Sequence, residues 1–187
     1  MVMTYFKRFQ MELAFDPDRL ETLLSDEVPL PAGYEMVPFS RGILKEHATA
    51  KYESFRSELD CHVFACLGKL DGCLRLMREI AGRGNFLPES TWLGRYRDPS
   101  TGHHQPVATI QAIETDQWAS IQNVGVVPEH RNRRLGEILI RLAARGAASS
   151  GLRGLQLEVT RENIAAIRFY ERLGFRQTKT LYKACEV

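Results

Sequence analysis

Residues 121–136, IQNVGVVPEHRNRRLG, constrain this chain more than any other stretch. Ile121, Val124, Val126 and Val127 are strand formers. Pro128 ends the run, because it has no N–H to give a ladder. Arg131, Arg133 and Arg134 follow, and then Leu135, Ile138, Leu139, Leu142 and Ala143 recur at the spacing of one helix face. The expectation is a strand that passes through a basic turn straight into a helix. Such a turn sets positive side chains beside the free N–H groups of a helix N-terminus, and both favour an anion such as phosphate. Gly125 inside the strand predicts a bulge or a close backbone approach, with accommodation of a packed neighbour as the alternative.

The rest of the chain is read outward from that stretch. Residues 5–15 alternate as a strand, with Tyr5, Lys7, Phe9, Met11, Leu13 and Phe15 on one face, and 20–24 suit a short helix. Pro29, Pro31 and Gly33 make a linker-like break before a strand at 34–39. Ser40 is placed to cap a helix with Leu44, Ala48, Tyr52 and Phe55 on its inner face. Gly68 and Gly72 interrupt the segment after Asp60. Asp71 then heads a helix bearing Leu74, Met77, Ile80 and Ala81. Strands are expected at 91–97, 107–113 and 118–127, joined by the turn signals at 98–102 and 115–117. The helix after the basic turn runs to about residue 148. A strand at 152–160, a helix at 161–173 capped by Thr160, and a strand at 175–184 complete the order. Three meandering strands followed by helix, strand, helix, strand imply a mixed α/β sheet with helices on both faces.

Composition removes several classes. A net charge of +2 is not the basic excess of a bulk nucleic-acid binder. No apolar run approaches the roughly 20 residues of a membrane span, and the first residues lack the core and cleavage site of a signal peptide. Cys61, Cys66, Cys73 and Cys185 fit no zinc spacing and read as reduced thiols of a cytoplasmic protein. His103 and His104 lie in a turn without a third ligand, so no metal is expected.

Residues 126–136, VVPEHRNRRLG, resemble the acetyl-CoA pyrophosphate loop of the GNAT N-acetyltransferase superfamily. Arg131 and Gly136 match that loop, while Asn132 and Arg134 stand where glycines are usual. An arginine with helical dihedrals at 134 would still present its N–H. Residues 157–175, LEVTRENIAAIRFYERLGF, are similar to a second family segment nearly position for position, and to that of the bacterial enzymes that acetylate a ribosomal protein's N-terminal alanine. The resemblance covers roughly residues 91–184. It implies the GNAT fold, an α/β architecture whose mixed central sheet splays between its fourth and fifth strands, with helices on both faces. Residues 33–187 would be that domain, and 1–32 an N-terminal extension with an extra strand.

The resemblance also implies chemistry: acetyl-CoA as cosubstrate, with direct attack by a primary amine on its thioester. Acyl transfer needs the oxyanion stabilised, the amine neutral and the departing thiolate protonated. Val124, Gly125 and Val126 would pair with pantetheine as a partner strand does, with the Val126 amide as oxyanion donor. Arg131, Asn132, Arg133, Arg134, Leu135 and Gly136 would hold the pyrophosphate, and Asn163 would bond pantetheine. Tyr170 would be the acid, and Glu158 a base working through water. Glu114 and Asp116 are the reserves for that base. Glu58 and Asp60 read either as solvated surface charges or as acceptor recognition. The acceptor is a small-molecule amine or a peptide or protein N-terminus, and an exposed last strand could pair two copies. A non-catalytic acyl-CoA sensor on the same fold is the alternative.

Overall fold

The structure, a computed structural model, describes residues 3–25 and 28–186. Its strands are β1 (Met3–Ala14), β2 (Tyr34–Pro38), β3 (Trp92–Arg97), β4 (His104–Thr115), β5 (Trp118–Val126), β6 (Gly154–Thr160) and β7 (Arg176–Glu186). The helices are α1 (Pro17–Ser25), α2 (Leu44–Phe55), α3 (Asp60–Val63), α4 (Leu70–Ala81), α5 (Leu135–Ser149) and α6 (Ile164–Arg172). The strands form one sheet in the order β2-β3-β4-β5-β6-β1-β7. Every neighbouring pair is antiparallel except β5 with β6.

Alternation along β4 divides the two faces. Ala108, Ile110 and Ala112 join Leu135, Leu139 and Ala143 of α5 in the main core. Thr109 and Gln111, on the other face, meet α2 through His47 and Lys51. The inner face of α2 is thus His47, Ala50, Lys51 and Ser54 together with Ala48, and not the Leu44–Tyr52–Phe55 stripe that hydrophobicity alone suggests. A polar chain explains the shift. The Lys51 ammonium bonds the Gln111 carbonyl, the Gln111 amide donates to the Thr109 hydroxyl at 2.7 Å, and that hydroxyl meets His47 Nδ1 at 2.8 Å. His47 Nε2 finds no partner among the described residues. Burial of the ammonium lowers the Lys51 pKa to about 8, and burial lowers that of His47 to about 3.

The leading strand is not laid beside the sheet but inserted into it. β1 pairs with β6 from Arg8 to Ala14 and with β7 from Met3 to Glu12. Met11 and Leu13 enter the core, as the alternation predicts. Arg8, on the opposite face of β1, is buried as well.

Three caps differ from expectation. Asp71 lies within the first turn of α4, which starts at Leu70 after Lys69. Ser40 precedes a 3-10 turn and makes no capping bond. The cap of α6 is Asn163 rather than Thr160: its Oδ1 accepts from the Ala166 N–H at 3.2 Å, so the helix starts at Ile164.

Candidate active site

The parallel pairing of β5 with β6 lasts only from Ala119 to Ile121. Beyond it the strands part, and the β5 backbone from 122 to 126 faces a gap on that side. The ladder between β4 and β5 slips at the same place, where Gln122 is the extra residue between Ile121 and Asn123. The bulge therefore lies at Gln122 and not at Gly125. Gly125 has a different reason: a Cβ there would lie 2.8 Å from the Phe55 ring and 2.8 Å from Ser54 Cβ. The glycine lets the end of α2 lie against the splayed strand.

The Val127 N–H donates across the ladder to the Val107 carbonyl at 2.9 Å. Strand alternation turns the Val126 N–H the opposite way, into the gap. The Val126 carbonyl, on the same side, accepts from Arg131 Nε at 3.0 Å.

The basic turn keeps both of its glycine-like positions. Asn132 has φ 59° and Arg134 has φ 63°. Arg134 is thus left-handed, not helical, a conformation that costs an L side chain energy and is tolerated best by glycine and asparagine. Among the described residues no backbone acceptor is found for the N–H groups of residues 132–137. These donors sit at the N-terminus of the fifteen-residue α5 and form an anion cradle. Close packing seals it from beneath, since a Cβ on Gly136 would meet the Phe169 ring at 3.1 Å.

The arginines of the turn are not equivalent. Arg131 folds inward to the Glu58 carboxylate at 2.8 Å and the Ser54 carbonyl at 3.3 Å. Arg134 pairs with Glu137 at 3.0 Å on the rim. Arg133 turns away to the Glu129 carbonyl at 2.7 Å and does not line the cavity. His130, which also lines the cavity, meets the Tyr34 hydroxyl through Nδ1 at 2.8 Å and ties the turn to β2.

Gap and cradle belong to one cavity of about 520 Å³. Val124, Gly125, Val126, Arg131, Asn132, Arg134, Leu135, Gly136, Asn163 and Tyr170 all line it. A second cavity of about 230 Å³ adjoins it and holds Glu158 and Arg8. Phe55, Asp60, Val124, Asn163, Ala166 and Tyr170 line both. Tyr170 is buried at this junction, and burial together with the nearby Asp60 charge raises its pKa.

Arg8 and Asp60 carry the second cavity; from the sequence, Arg8 is passed over and Asp60 stays open between acceptor recognition and a solvated surface charge. Arg8 bonds the Glu158 carboxylate at 3.2 Å, the Thr160 hydroxyl at 3.0 Å and the Glu158 carbonyl at 3.1 Å. Its guanidinium lies 4.8 Å over the Phe64 ring. The only sequence signal was a cation at a position whose neighbours alternate as a strand. Asp60 opens α3 and is half-buried, not a solvated surface charge. Burial raises its pKa, Arg8 opposes that shift, Glu58 adds to it, and the nearby Asn163 and Thr160 side chains lower it. Glu114 and Asp116 line neither cavity.

Among the described residues no group of His, Cys, Asp or Glu side chains could hold a metal ion, and no helix is long and apolar enough to cross a membrane. His104 instead meets Glu35 at 3.2 Å. Cys61, Cys66 and Cys73 are free thiols. The Cys185 side chain lies outside the described residues.

Comparison with known proteins agrees with this geometry. The model of the acetyltransferase (GNAT) family matches residues 75–175, more than half of the chain. Streptothricin acetyltransferase of Streptomyces lavendulae is 35% identical over 79 residues, which are 41% of this chain and 42% of that protein. The chain spans less than half the length of the curated relatives it matches. Among solved structures, an aminoglycoside N-acetyltransferase in complex with CoA is similar with a TM-score of 0.60 at 15% identity, over 82% of this chain and 94% of that one. The ribosomal-protein-S18-alanine N-acetyltransferase of Escherichia coli gives a TM-score of 0.58 at 15% identity, over 81% of this chain and 92% of that one. At these identities the structural likeness is one of fold.

Proposed function

The chain belongs to the acetyltransferase (GNAT) family, and on that premise we propose that it moves an acetyl group from acetyl-CoA to a primary amine by direct attack. One observation carries the reading: an anion cradle and an open strand edge share a cavity, and that cavity meets a second one at Tyr170.

The residues present fit acetyl-CoA. The N–H groups of 132–137 would take the pyrophosphate oxygens, and the free edge of Val124 to Val126 would pair with the pantetheine amides. Arg134 stands on the rim of the cradle as a charge for phosphate, while Arg131, tied to Glu58 and Val126, holds the turn against α2. Asn163 borders the pantetheine path. The Val126 N–H, turned into the gap, is the donor for the thioester oxygen. Tyr170 is the acid for the departing sulfur, because a buried phenol keeps its proton until a thiolate forms beside it. The second cavity takes the acceptor, a small-molecule amine or a peptide N-terminus. Glu158, held by Arg8, lines its wall and orients the ammonium.

We read residues 1–32 as an addition to the family domain of 33–187, and β1 as its contribution to that second cavity. The free thiols suit a reducing cytoplasm, and the edge strand β7 offers a surface for a second copy.

The test is binding followed by turnover. At about 100 times its dissociation constant, acetyl-CoA should stabilise the protein by about 2.7 kcal/mol, and ATP and NAD should not. Release of free thiol is then followed with streptothricin, an aminoglycoside and an N-terminal-alanine peptide as acceptors. CoA-specific stabilisation with thiol release supports the transferase. Stabilisation with no release from any primary amine leaves an acyl-CoA sensor. No stabilisation sinks both.

A further inference from the structure

Among the described residues, Asp60 has the one carboxylate that borders both cavities. Glu158 reaches only the second, where Arg8 matches its charge at 3.2 Å. Glu58 reaches only the first, where Arg131 matches its charge at 2.8 Å. Asp60 instead lies near the side chains of Asn163 and Thr160, within the fields of Arg8 and Glu58. Tyr170 lines the same two cavities, and its proton is bound more tightly first through burial and then through the Asp60 charge. The charged and titratable groups around Asp60 are thus Arg8 of β1, Glu58 ahead of α3, Glu158 of β6 and Tyr170 of α6.

We propose that Asp60 takes the proton of the acceptor ammonium, and that losing its own charge in doing so releases Tyr170 to protonate the departing thiolate. This rests on the transferase reading above.

The steps balance. The Asp60 carboxylate accepts one proton from the ammonium. The nitrogen lone pair forms the C–N bond, and the carbonyl π pair moves to oxygen opposite the Val126 N–H. The oxyanion pair then re-forms the carbonyl as the C–S bond breaks with its electron pair going to sulfur, which takes the Tyr170 proton. The second nitrogen proton refills the phenolate. The Asp60 proton leaves to bulk water with the product. One ammonium and one thioester give one amide, one thiol and one proton.

The same carboxylate cannot favour both states of Tyr170. Charged, it keeps the phenol protonated while the acceptor is still an ammonium. Neutral, it removes that hold at the moment the amine becomes a nucleophile. The coupling orders the two proton transfers.

The experiment uses the full chain and Asp60→Asn, with glycinamide and ethylamine as probe acceptors of weak and strong basicity. CoA affinity by calorimetry should be the same in both proteins. For ethylamine, kcat/KM at pH 7 should fall roughly 10²- to 10⁴-fold, the loss should shrink as pH rises, and glycinamide should lose less. Equal losses for both amines at every pH would overturn the base role. A second arm needs no acceptor: 3,5-difluorotyrosine is placed at 170 and titrated by ¹⁹F NMR. Asp60→Asn should lower its midpoint by about one pH unit, and an unmoved midpoint would overturn the coupling. Glu158→Gln should raise KM while keeping the wild-type pH profile of kcat. Loss of that profile in Glu158→Gln and its survival in Asp60→Asn would transfer the role to Glu158. If the wild type binds CoA and releases thiol neither with these amines nor with streptothricin, the aminoglycoside or the peptide, the transferase reading fails, and with it Asp60's proposed role.

Discussion

The two cavities that meet at Tyr170 are built in opposite ways. The larger is mostly main chain: a strand edge left bare, and a turn whose N–H groups converge at the start of α5. Most of it comes from two continuous stretches, around 124–137 and 163–172, with Ser54, Phe55, Glu58 and Asp60 added from the end of α2 and the segment after it. The smaller is assembled from side chains that the chain brings from β1, α2, α3, α4, β5, β6 and α6. A main-chain surface holds its shape through side-chain changes that spare its dihedrals. A side-chain surface changes with every substitution. One family can thus keep a cosubstrate while its members vary the acceptor.

That contrast can be attacked where the walls meet. Tyr170→Phe should cost roughly 10²- to 10⁴-fold in kcat while CoA affinity by calorimetry stays the same. Retained turnover would mean that the junction does no proton chemistry.

The next largest effect lies beneath the assembled wall. Gln111→Leu removes the acceptor of the buried Lys51 ammonium and should cost about 3 kcal/mol in chemical denaturation. Lys51→Met together with Gln111→Leu should recover most of it, because two apolar partners leave no group unsatisfied.

The same layer sets a pH dependence. Unfolded, His47 takes its proton near 6.5, and folded only near 3. Between those values the unfolded chain binds more protons, so stability falls as pH falls, by about 2 kcal/mol at pH 5 from this group. His47→Gln should flatten that part of a stability–pH curve. Lys51 acts in the alkaline range with the same sign: from about 8 to 10.5 its share of stability rises with pH.

Gly125→Ala tests the contact between the walls. The added methyl meets Phe55 and Ser54, for an expected loss of about 1–3 kcal/mol. The smallest effect belongs to the main-chain wall. Arg134→Gly keeps the left-handed turn without a Cβ and should raise the melting temperature by about 2 °C. CoA affinity should change less than threefold by calorimetry. A large loss would mean that the side chain, not the backbone, holds the phosphates.

The same contrast decided how much was legible in the sequence. The strand before the turn, the turn itself and the α5 face are local patterns of periodicity, Pro and basic residues, and they appear where the spacing puts them; the splay of that strand is implied only by the family resemblance. The dihedral of Arg134 was hidden because nothing in an arginine announces φ above zero. The α2 face was misjudged because hydrophobicity ranks Lys51 and His47 outside, while Gln111 and Thr109, some sixty residues on, supply the bonds that let them in. The pairing of Arg8 with Glu158 spans 150 residues, and no local signal reports it. Asp60 reads in the sequence as either a surface acid or an acceptor contact, and only the meeting of α3 with the end of β6 and the start of α6 sets it near Thr160 and Asn163.

The position of β1 has a consequence for synthesis. This strand leaves the ribosome before the other described elements, and its partners β6 and β7 are among the last to emerge. Until they do, β1 exposes two bare edges, and Arg8 has neither Glu158 nor Thr160. The loop that must close is nearly the whole chain, so this half of the sheet can zip up only late and slowly. Shielding of residues 3–14 by a chaperone, or pairing of one nascent β1 with another, would decide the yield of folded protein before any substrate is met.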